Sequence, residues 1–398
     1  RKIMCSVLRV RLVLSAFRLG LLRTACLICA LCSAPAAFAF DPPPSQIAAR
    51  AWVLIDTQSG QLLTGYQHDE RFEPASLTKL MTAYLVFDAL KQKKLKPDQI
   101  VPVSEKARKA TGSRMFIQTD IPVSVNELMR GMIIQSGNDA TIALAEAVAG
   151  TEEAFVTLMN REAKRMGLAA TNFVNSTGLP EPKHTSTARD LAQLTAALIR
   201  DYPEHYPLYS QKEYRYNDIT QANRNRLLWR DTTVDGVKTG HTDAAGYCLI
   251  SSAKRDNRRL ISVVLGAASD AARAAESQKL LNYGYQNFDT VRLYEANQAA
   301  ATPRVWKGTL NAVKLGFQTG LYVSVPKEGR IVACRDRDGD GVYETRTDFV
   351  RGKEASTVLQ GVQWHDGWLW FAQLNAISKA RDTNGDGVAD EEVQVIGP

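Results

Sequence analysis

The sequence predicts an α/β protein built on an antiparallel sheet flanked by helices. Three observations predict it. Two strand-length runs near residue 50 are separated by a turn signal. A long middle stretch carries helical periodicity with capping residues. Strand patterning then returns after Trp229 and is followed by a closing helix. Strands grouped at both ends of a helical middle do not fit a doubly wound parallel sheet, in which strands and helices alternate throughout.

The elements follow in order. Ala51–Thr57 and Gln61–Gln67 flank Gln58-Ser59-Gly60, a hairpin signal. Pro74 disfavours helix at the residue before it and is tolerated at a helix start, so Glu73-Pro74-Ala75-Ser76 places Ser76 at the N-terminus of a helix that runs through Leu90. Ser124-Val125-Asn126-Glu127 is a capping box opening a helix to about Gln135. Ser136–Asn138 interrupts it as a tight loop, and a second helix, Ala140–Val148, stops at Gly150. Thr151 caps a helix that ends at Gly167, and Thr187–Arg200 is a further helix. Strands are expected at Val234–Thr239, Tyr247–Ala253 and Leu260–Ala267, the last two joined by the charged turn Lys254–Arg258. Ala271–Tyr283 returns as a helix.

Bulk composition excludes little by itself. The chain has 398 residues, 45% hydrophobic and 23% charged, which is ordinary for a globular protein and long enough for one large domain or two. The formal charge of +7 is misleading. Arg1, Lys2, Arg9, Arg11, Arg18 and Arg23 all precede the first acid, Asp41, and without those six the net charge is +1. No nucleic-acid partner is implied, because the positive charge is not on the folded part. The six charges head an apolar run, Thr24 to Ala34, and Ala37-Phe38-Ala39 fits the small-x-small cleavage rule, so residues 1–39 read as a signal peptide. The alternative, an uncleaved anchor, is disfavoured because the run is short for a membrane span. Cys5, Cys26, Cys29 and Cys32 fall in that segment. Cys248 and Cys334 remain, in different units, and no disulfide is expected.

Three short motifs carry the chemistry: Ser76-Leu77-Thr78-Lys79, Ser136-Gly137-Asn138 and Lys238-Thr239-Gly240. Ser136 lies 60 residues beyond Ser76, and Lys238 a further 102 along, so only a folded domain unites them. Each alone has an ordinary explanation: a helix cap and a solvated lysine, a turn, a strand end with its glycine. Together and in this order they describe an active-site serine enzyme that acylates itself. Ser76 and Lys79 are neighbours at i and i+3. A serine hydroxyl needs a base, and a desolvated lysine with a lowered pKa is one. Ser136 is suited to relaying a proton to a leaving amine, and Asn138 to holding Lys79 and a substrate amide. Lys238 and Thr239 would hold a carboxylate, on a strand able to pair with an extended peptide, while Gly240 keeps the strand face open.

These stretches resemble the low-molecular-mass penicillin-binding proteins, specifically the D-alanyl-D-alanine carboxypeptidases. The resemblance extends over residues 40 to about 326. It rests also on Pro74-Ala75, Asp139-Ala140, Ser186-Thr187-Ala188-Arg189-Asp190 and Asp235-Gly236-Val237 leading into Lys238-Thr239-Gly240-His241-Thr242. It implies the serine β-lactamase/D,D-peptidase fold and no cofactor. It also implies an acyl-enzyme on Ser76, formed with the penultimate D-alanine of a peptidoglycan stem pentapeptide, and acylation by β-lactams. The backbone N–H groups of Ser76 and His241 would form the oxyanion hole, and Arg273 matches an arginine near the family's carboxylate pocket. The implied location is the periplasm or cell envelope. Association with the inner membrane is left open, because the family's usual C-terminal anchor helix is missing.

The chain changes character near residue 327. Val305 to Pro326 resembles the start of the family's small β-domain, so the expected division is 1–39, 40–288, 289–329 and 330–398. Beyond Arg330, Arg335-Asp336-Arg337-Asp338-Gly339-Asp340-Gly341-Val342 returns 46 residues later as Arg381-Asp382-Thr383-Asn384-Gly385-Asp386-Gly387-Val388, close to the length of a propeller blade. Trp364–Phe371 between them reads as strand-turn-strand. The segment resembles a piece of a glucose/sorbosone dehydrogenase-type β-propeller, too short to close. Asp336, Asp338, Asp340 and Asp382, Asn384, Asp386 are candidate Ca²⁺ ligands, or else acidic turns. The twelfth loop positions, Thr347 and Val393, are not the glutamate of an EF-hand. Two other functions compete with the carboxypeptidase. A serine β-lactamase would need a water-activating glutamate, and no E-x-x-L-N segment lies between Ser136 and Lys238. A sugar oxidase or calcium-dependent binding module would need more of the propeller than is present.

Overall fold

A five-stranded antiparallel sheet organises the body of the protein, in a computed structural model that describes residues 46–302, 305–306, 311–327, 330–335, 345–351, 360–365, 368–373, 376–384 and 388–396. The expected signal peptide and Asp336, Asp338, Asp340 and Asp386 lie outside the described residues. All of the described residues belong to one compact unit, Pro43–Pro398.

The opening hairpin forms as the sequence predicts, with β1 (Ala51–Asp56) and β2 (Leu62–Tyr66) paired Trp52 to Tyr66. Its turn is closed by Asp56, whose Oδ1 accepts from the N–H groups of Gln58 at 2.8 Å and Ser59 at 3.2 Å. Two short ribbons follow among the helices, β3 (Ile100–Val101) with β4 (Val123–Ser124) and β5 (Glu213–Tyr216) with β6 (Ile219–Ala222). The remaining sheet strands are β7 (Val234–Thr242), β8 (Gly246–Arg255) and β9 (Arg258–Ala267), and the sheet order is β2-β1-β9-β8-β7. The third motif therefore sits on an edge strand. It does not close that strand, as the sequence suggested. Pairing with β8 continues from Thr239↔Leu249 to Thr242↔Gly246, and the chain turns only where Gly246 takes φ +66°.

Alternation along the strands divides the core. Val53, Ile250 and Val263 face a helical layer, and Leu54, Leu249 and Val264 face the closing helix on the other side. Within the first layer α1 (Lys79–Lys91) is buried on nearly every side, Leu80 through Phe87 included, as a helix at the centre of a packed layer must be. Around it lie α2 (Val125–Arg130), α3 (Asn138–Ala149), α4 (Glu152–Met166) and α5 (Ala188–Asp201). The capping box at Ser124 and Glu127 is present, Thr151 accepts the N-cap bond predicted for it, and Thr187, expected as the first residue of its helix, is instead the N-cap of α5. The closing helix is α6 (Asp270–Asn287), capped by Ser269.

Two local geometries differ from expectation. Ser76 lies in a 3₁₀ turn, Ala75–Thr78, that feeds α1. The helix after Ser124 ends in a π-turn, Gly131–Gln135, and Asn138 is the first residue of α3 rather than part of the loop.

After α6, β10 (Phe288–Tyr294) pairs with β13 (Leu321–Pro326), and the intervening chain folds into a ribbon, β11 (Ala299–Ala301) with β12 (Leu315–Gly316). This small unit is tied to the main sheet by the Ser59 and Ser324 hydroxyls at 2.6 Å and by Thr290 Oγ1 donating to the buried Asp56. Beyond it, β14 (Arg330–Arg335) and β15 (Thr345–Arg351) form a hairpin. Then β16 (Gln360–His365), β17 (Trp368–Gln373), β18 (Ala376–Arg381) and β19 (Glu391–Ile396) form a four-stranded meander. The strand-turn-strand expected at Trp364–Phe371 is its first hairpin. In the second acidic loop Asp390 accepts from the N–H and hydroxyl of Thr383 and from the N–H and side-chain amide of Asn384. No group of three or more His, Cys, Asp or Glu side chains arranged to hold a metal occurs among the described residues.

Candidate active site

The three motifs, far apart in the chain, line one cavity of about 880 Å³. Ser76, Ser136, Asn138, Thr239, Gly240, His241 and Arg273 face it, and Lys79 and Lys238 are buried beneath its floor, 1% and 3% exposed. Every site residue singled out in the three motifs is thus brought to one place.

Lys79 makes three contacts. Its Nζ is 2.7 Å from Asn138 Oδ1, 2.7 Å from the Thr177 carbonyl and 2.9 Å from Ser76 Oγ. The first two partners only accept, so they consume two N–H bonds. A neutral amine has two N–H bonds and one lone pair, and the lone pair then points at the Ser76 hydroxyl. Burial, with the Arg224 charge adding to it, brings the Lys79 pKa down to about 7, against a smaller opposing effect of Asp139. Position and lowered pKa suit a base that takes the serine proton.

Ser136 and Lys238 form the second pair. Ser136 sits in the left-handed region at φ 68°, at the end of the π-turn, and accepts from Lys238 Nζ at 2.8 Å. The Lys238 ammonium also donates to the Thr239 carbonyl at 3.1 Å, and its pKa is driven well below the usual lysine range by burial and by the charges of Lys79, Arg224 and Arg273. Glycine at 240 lets strand and nucleophile turn approach closely. A Cβ there would stand 3.1 Å from the Pro74 carbonyl oxygen and 3.2 Å from Ala75 Cβ. That approach brings the backbone around His241 beside that of Ser76.

Arg273 reaches the cavity, but its guanidinium is already engaged. It donates to the carbonyls of Gly240 at 3.1 Å and Cys248 at 3.4 Å and forms an ion pair with Asp270. Arg273 lies over the Tyr247 ring, which packs against His241 at 4.1 Å between ring centres. Arg273 therefore braces β7 and β8 behind the motif as well as facing the cavity. Cys248 is a free buried thiol.

Sequence reasoning missed four contributors. Thr177 supplies the carbonyl that orients Lys79, on a turn held by Asn175, whose Oδ1 accepts from Thr177 and Gly178. The Asn-Ser-Thr-Gly run at 175–178 is a turn signal that pointed to it. Gly178 packs so tightly that a Cβ would lie 1.8 Å from the Ala75 carbonyl oxygen. His184, buried, has a pKa lowered to about 4 by burial and by the Lys79 charge. Its Nδ1 accepts from the Val174 N–H at 3.2 Å, so its Nε2–H donates to Thr78 Oγ1 at 2.8 Å and steadies the nucleophile turn. Arg224, on the chain after β6, lines the cavity as a further cation.

The fourth is Asp139, whose carboxylate accepts from the N–H groups of Met115 at 2.9 Å, Phe116 at 2.7 Å and Ile117 at 3.2 Å. The same segment meets Asn138, which donates its side-chain amide to the Thr111 carbonyl at 2.7 Å. Asp139→Ala is expected to destabilise the protein by about 3 kcal/mol, since two buried backbone donors and a part-buried third lose a charged acceptor. A lower Tm with slower penicillin acylation checks this, and an unchanged Tm would refute the anchoring role.

Comparison with known proteins agrees with the geometry. The family described as D-alanyl-D-alanine carboxypeptidase (Peptidase_S11) matches residues 37–269. The penicillin-binding protein 5 C-terminal domain matches 288–331, and a domain of unknown function (DUF7133) matches 311–397. D-alanyl-D-alanine carboxypeptidase DacC of Escherichia coli (strain K12) is 48% identical over 305 residues, 74% of this chain and 76% of its own length. The crystal structure of penicillin-binding protein 5 from Haemophilus influenzae superimposes with a TM-score of 0.70 at 37% identity, covering 89% of this chain and 97% of that one. Penicillin-binding protein D2 from Listeria monocytogenes, solved in its ampicillin-bound form, gives 0.57 at 31% identity over 61% of this chain and all of that one. By cavity, motifs and relatives alike, this chain belongs to the D-alanyl-D-alanine carboxypeptidase family.

Proposed function

We propose that Ser76 is the nucleophile and Lys79 its base, acting on the peptide bond between the last two D-alanines of a peptidoglycan stem pentapeptide. The observation that carries this reading is the set of three contacts at Lys79 Nζ, which leaves its lone pair for the Ser76 proton. The substrate carbonyl would enter between the N–H groups of Ser76 and His241. Ser136, linked to Lys238, would pass a proton to the departing D-alanine, leaving an ester on Ser76. Water then releases the shortened peptide. Lys238, Thr239 and Arg224 would receive the terminal carboxylate, with Arg273 supporting the strand that presents them. A β-lactam carries an amide and a carboxylate in the same relation and would acylate Ser76. Release of D-alanine from a synthetic pentapeptide, measured together with fluorescent-penicillin labelling, tests the assignment.

A serine β-lactamase is the weaker reading. Asp270, the carboxylate lining the cavity among the described residues, is held by Arg226 and Arg273, so it is not placed to activate a hydrolytic water. Export through the N-terminal segment would put the enzyme in the periplasm or cell envelope, where its substrate lies.

We propose the division 40–288, 289–329 and 330–398 for the mature chain, with the chemistry confined to the first part. The meander β16–β19 supports reading the last part as a blade-like unit. A chain ending at Asp289 is expected to keep penicillin acylation within about threefold of the full mature chain. It should be less stable, by about 1 kcal/mol, for losing Thr290 from the buried Asp56 carboxylate. Comparison of acylation rates and Tm, with and without Ca²⁺, checks this. A large loss of rate, or activation by Ca²⁺, would make the last part a working component.

A further inference from the structure

The nucleophile turn carries backbone strain, and its surroundings hold it from both ends. Ala75, the residue before Ser76, takes the left-handed region at φ 47°, which disfavours a residue with a Cβ. Such a conformation persists where packing and hydrogen bonds over-determine it. At the C-terminal end of the turn the His184 ring donates to Thr78 Oγ1. At the N-terminal end the tie crosses to the turn between β7 and β8. Thr242 Oγ1 lies 3.2 Å from a carboxylate oxygen of Glu73 and 3.0 Å from the Ala245 nitrogen. A carboxylate only accepts, so the Thr242 hydroxyl donates to Glu73 and accepts from the Ala245 N–H. Among the described residues the Glu73 carboxylate has no other hydrogen-bond or ion-pair partner. Arg50 ties the same two segments again. It donates to the carbonyls of Ala244 and Ala245 and lies over the Phe72 ring at 5.4 Å.

The place of the Glu73–Thr242 bond in the chain decides what it can do. Glu73 stands three residues before Ser76, and Thr242 directly follows His241. The inference rests on the reading in which the N–H groups of Ser76 and His241 receive the substrate oxygen. Those two donors come from segments far apart in the chain, so neither segment sets their spacing alone. Donors stabilise an oxyanion only if their geometry is fixed before the charge develops. Misplacement by about 1 Å can cost about two powers of ten in rate. The close approach of Gly240 to Pro74 and Ala75 brings the segments together on one side of the donors. We propose that Glu73 and Thr242 are positioning residues, whose hydrogen bond clamps the two halves of the oxyanion hole at their working separation.

The test is penicillin acylation of single and double variants, resolved into the affinity of the non-covalent complex and the rate constant of the acylation step. Thr242→Val and Glu73→Ala should each slow that step about tenfold, roughly the worth of one hydrogen bond to a charged group. The non-covalent dissociation constant should stay within about twofold, because Lys238, Thr239 and Arg224 are untouched. The double variant should also be about tenfold slower rather than about a hundredfold, since both changes remove the same bond. Thr242→Ser keeps the hydroxyl and Glu73→Gln keeps an acceptor, so both should recover most of the rate. Glu73→Ala removes a half-buried side chain outside the packed core, so it should fold and read the clamp even if Thr242→Val does not. Multiplied losses in the double variant, no recovery in Thr242→Ser, or a binding constant that weakens in step with the rate would overturn the proposal. A normal acylation step in the single variants, with the unmodified chain labelled, sinks the clamp alone. Absence of labelling in the unmodified chain sinks the assignment of Ser76, and the clamp with it.

Discussion

Ser76→Ala is expected to abolish both D-alanine release and stable penicillin labelling, with a loss of about four powers of ten or more in kcat/KM. The magnitude follows from how the site is assembled. Lys79, held by Asn138, meets the Ser76 hydroxyl, and Ser136 with its partner Lys238 stands at the same cavity, so with that oxygen gone they have nothing to activate. Residual binding survives, because the cavity walls and the edge strand are untouched, so a non-covalent affinity for penicillin should persist. The change is small, and the Ser76 side chain is not part of the packed core, so the variant should fold. A folded Ser76→Ala protein with undiminished D-alanine release would sink the assignment of the nucleophile.

Much of this was legible in the sequence, for identifiable reasons. The helix starts at Ser124 and Thr151 were readable because a cap is a local contract between a side chain and an N–H three residues on. The hairpin at Gln58-Ser59-Gly60 and the closing strands were readable from composition and alternation. The motifs announced Ser76, Lys79, Ser136, Asn138 and Lys238 because each lies in a short run with its own chemistry. What was not legible depended on distant chain. The end of β7 could not be placed from Lys238-Thr239-Gly240, since only pairing with β8 carries it to Thr242. The π-turn before Ser136 is set by packing, and periodicity alone reads it as ordinary helix. Thr177 contributes a backbone carbonyl, which any residue type supplies, so the sequence carries its turn but not its role. His184 and Asp139 act through the nucleophile turn and the 111–117 segment, and a lone histidine or aspartate gives no sign of such partners. Arg273 was visible as an arginine, but its bonds to Gly240, Cys248 and Asp270 show that much of its guanidinium is spent on holding the strand.

Lys79→Arg should fail nearly as badly as Lys79→Ala, each losing about three powers of ten or more in acylation rate. Arginine keeps the charge, roughly keeps the reach, and cannot give up its proton at any working pH. If Lys79 served as a fixed positive charge, Lys79→Arg would retain most of the rate. If it is the base, the arginine variant has donors where a lone pair is needed, and the Thr177 carbonyl and Asn138 Oδ1 cannot change that. The pH dependence separates the two roles independently. Burial lowers the Lys79 pKa to about 7, so the amine is charged below that pH and neutral above it. A base must be neutral, so the acylation rate constant of the unmodified enzyme should fall about tenfold per pH unit below about pH 6 and level off above about pH 8. A charge-supplying lysine would give the opposite slope across the same range. Asp139 sharpens the comparison, because its carboxylate favours the protonated amine. In Asp139→Ala the rising limb should move to lower pH even as the plateau drops. A profile that falls from pH 6 to pH 8, or a Lys79→Arg enzyme with near-normal acylation, would remove Lys79 from the role of base. The lone-pair geometry at Ser76 would then need another explanation.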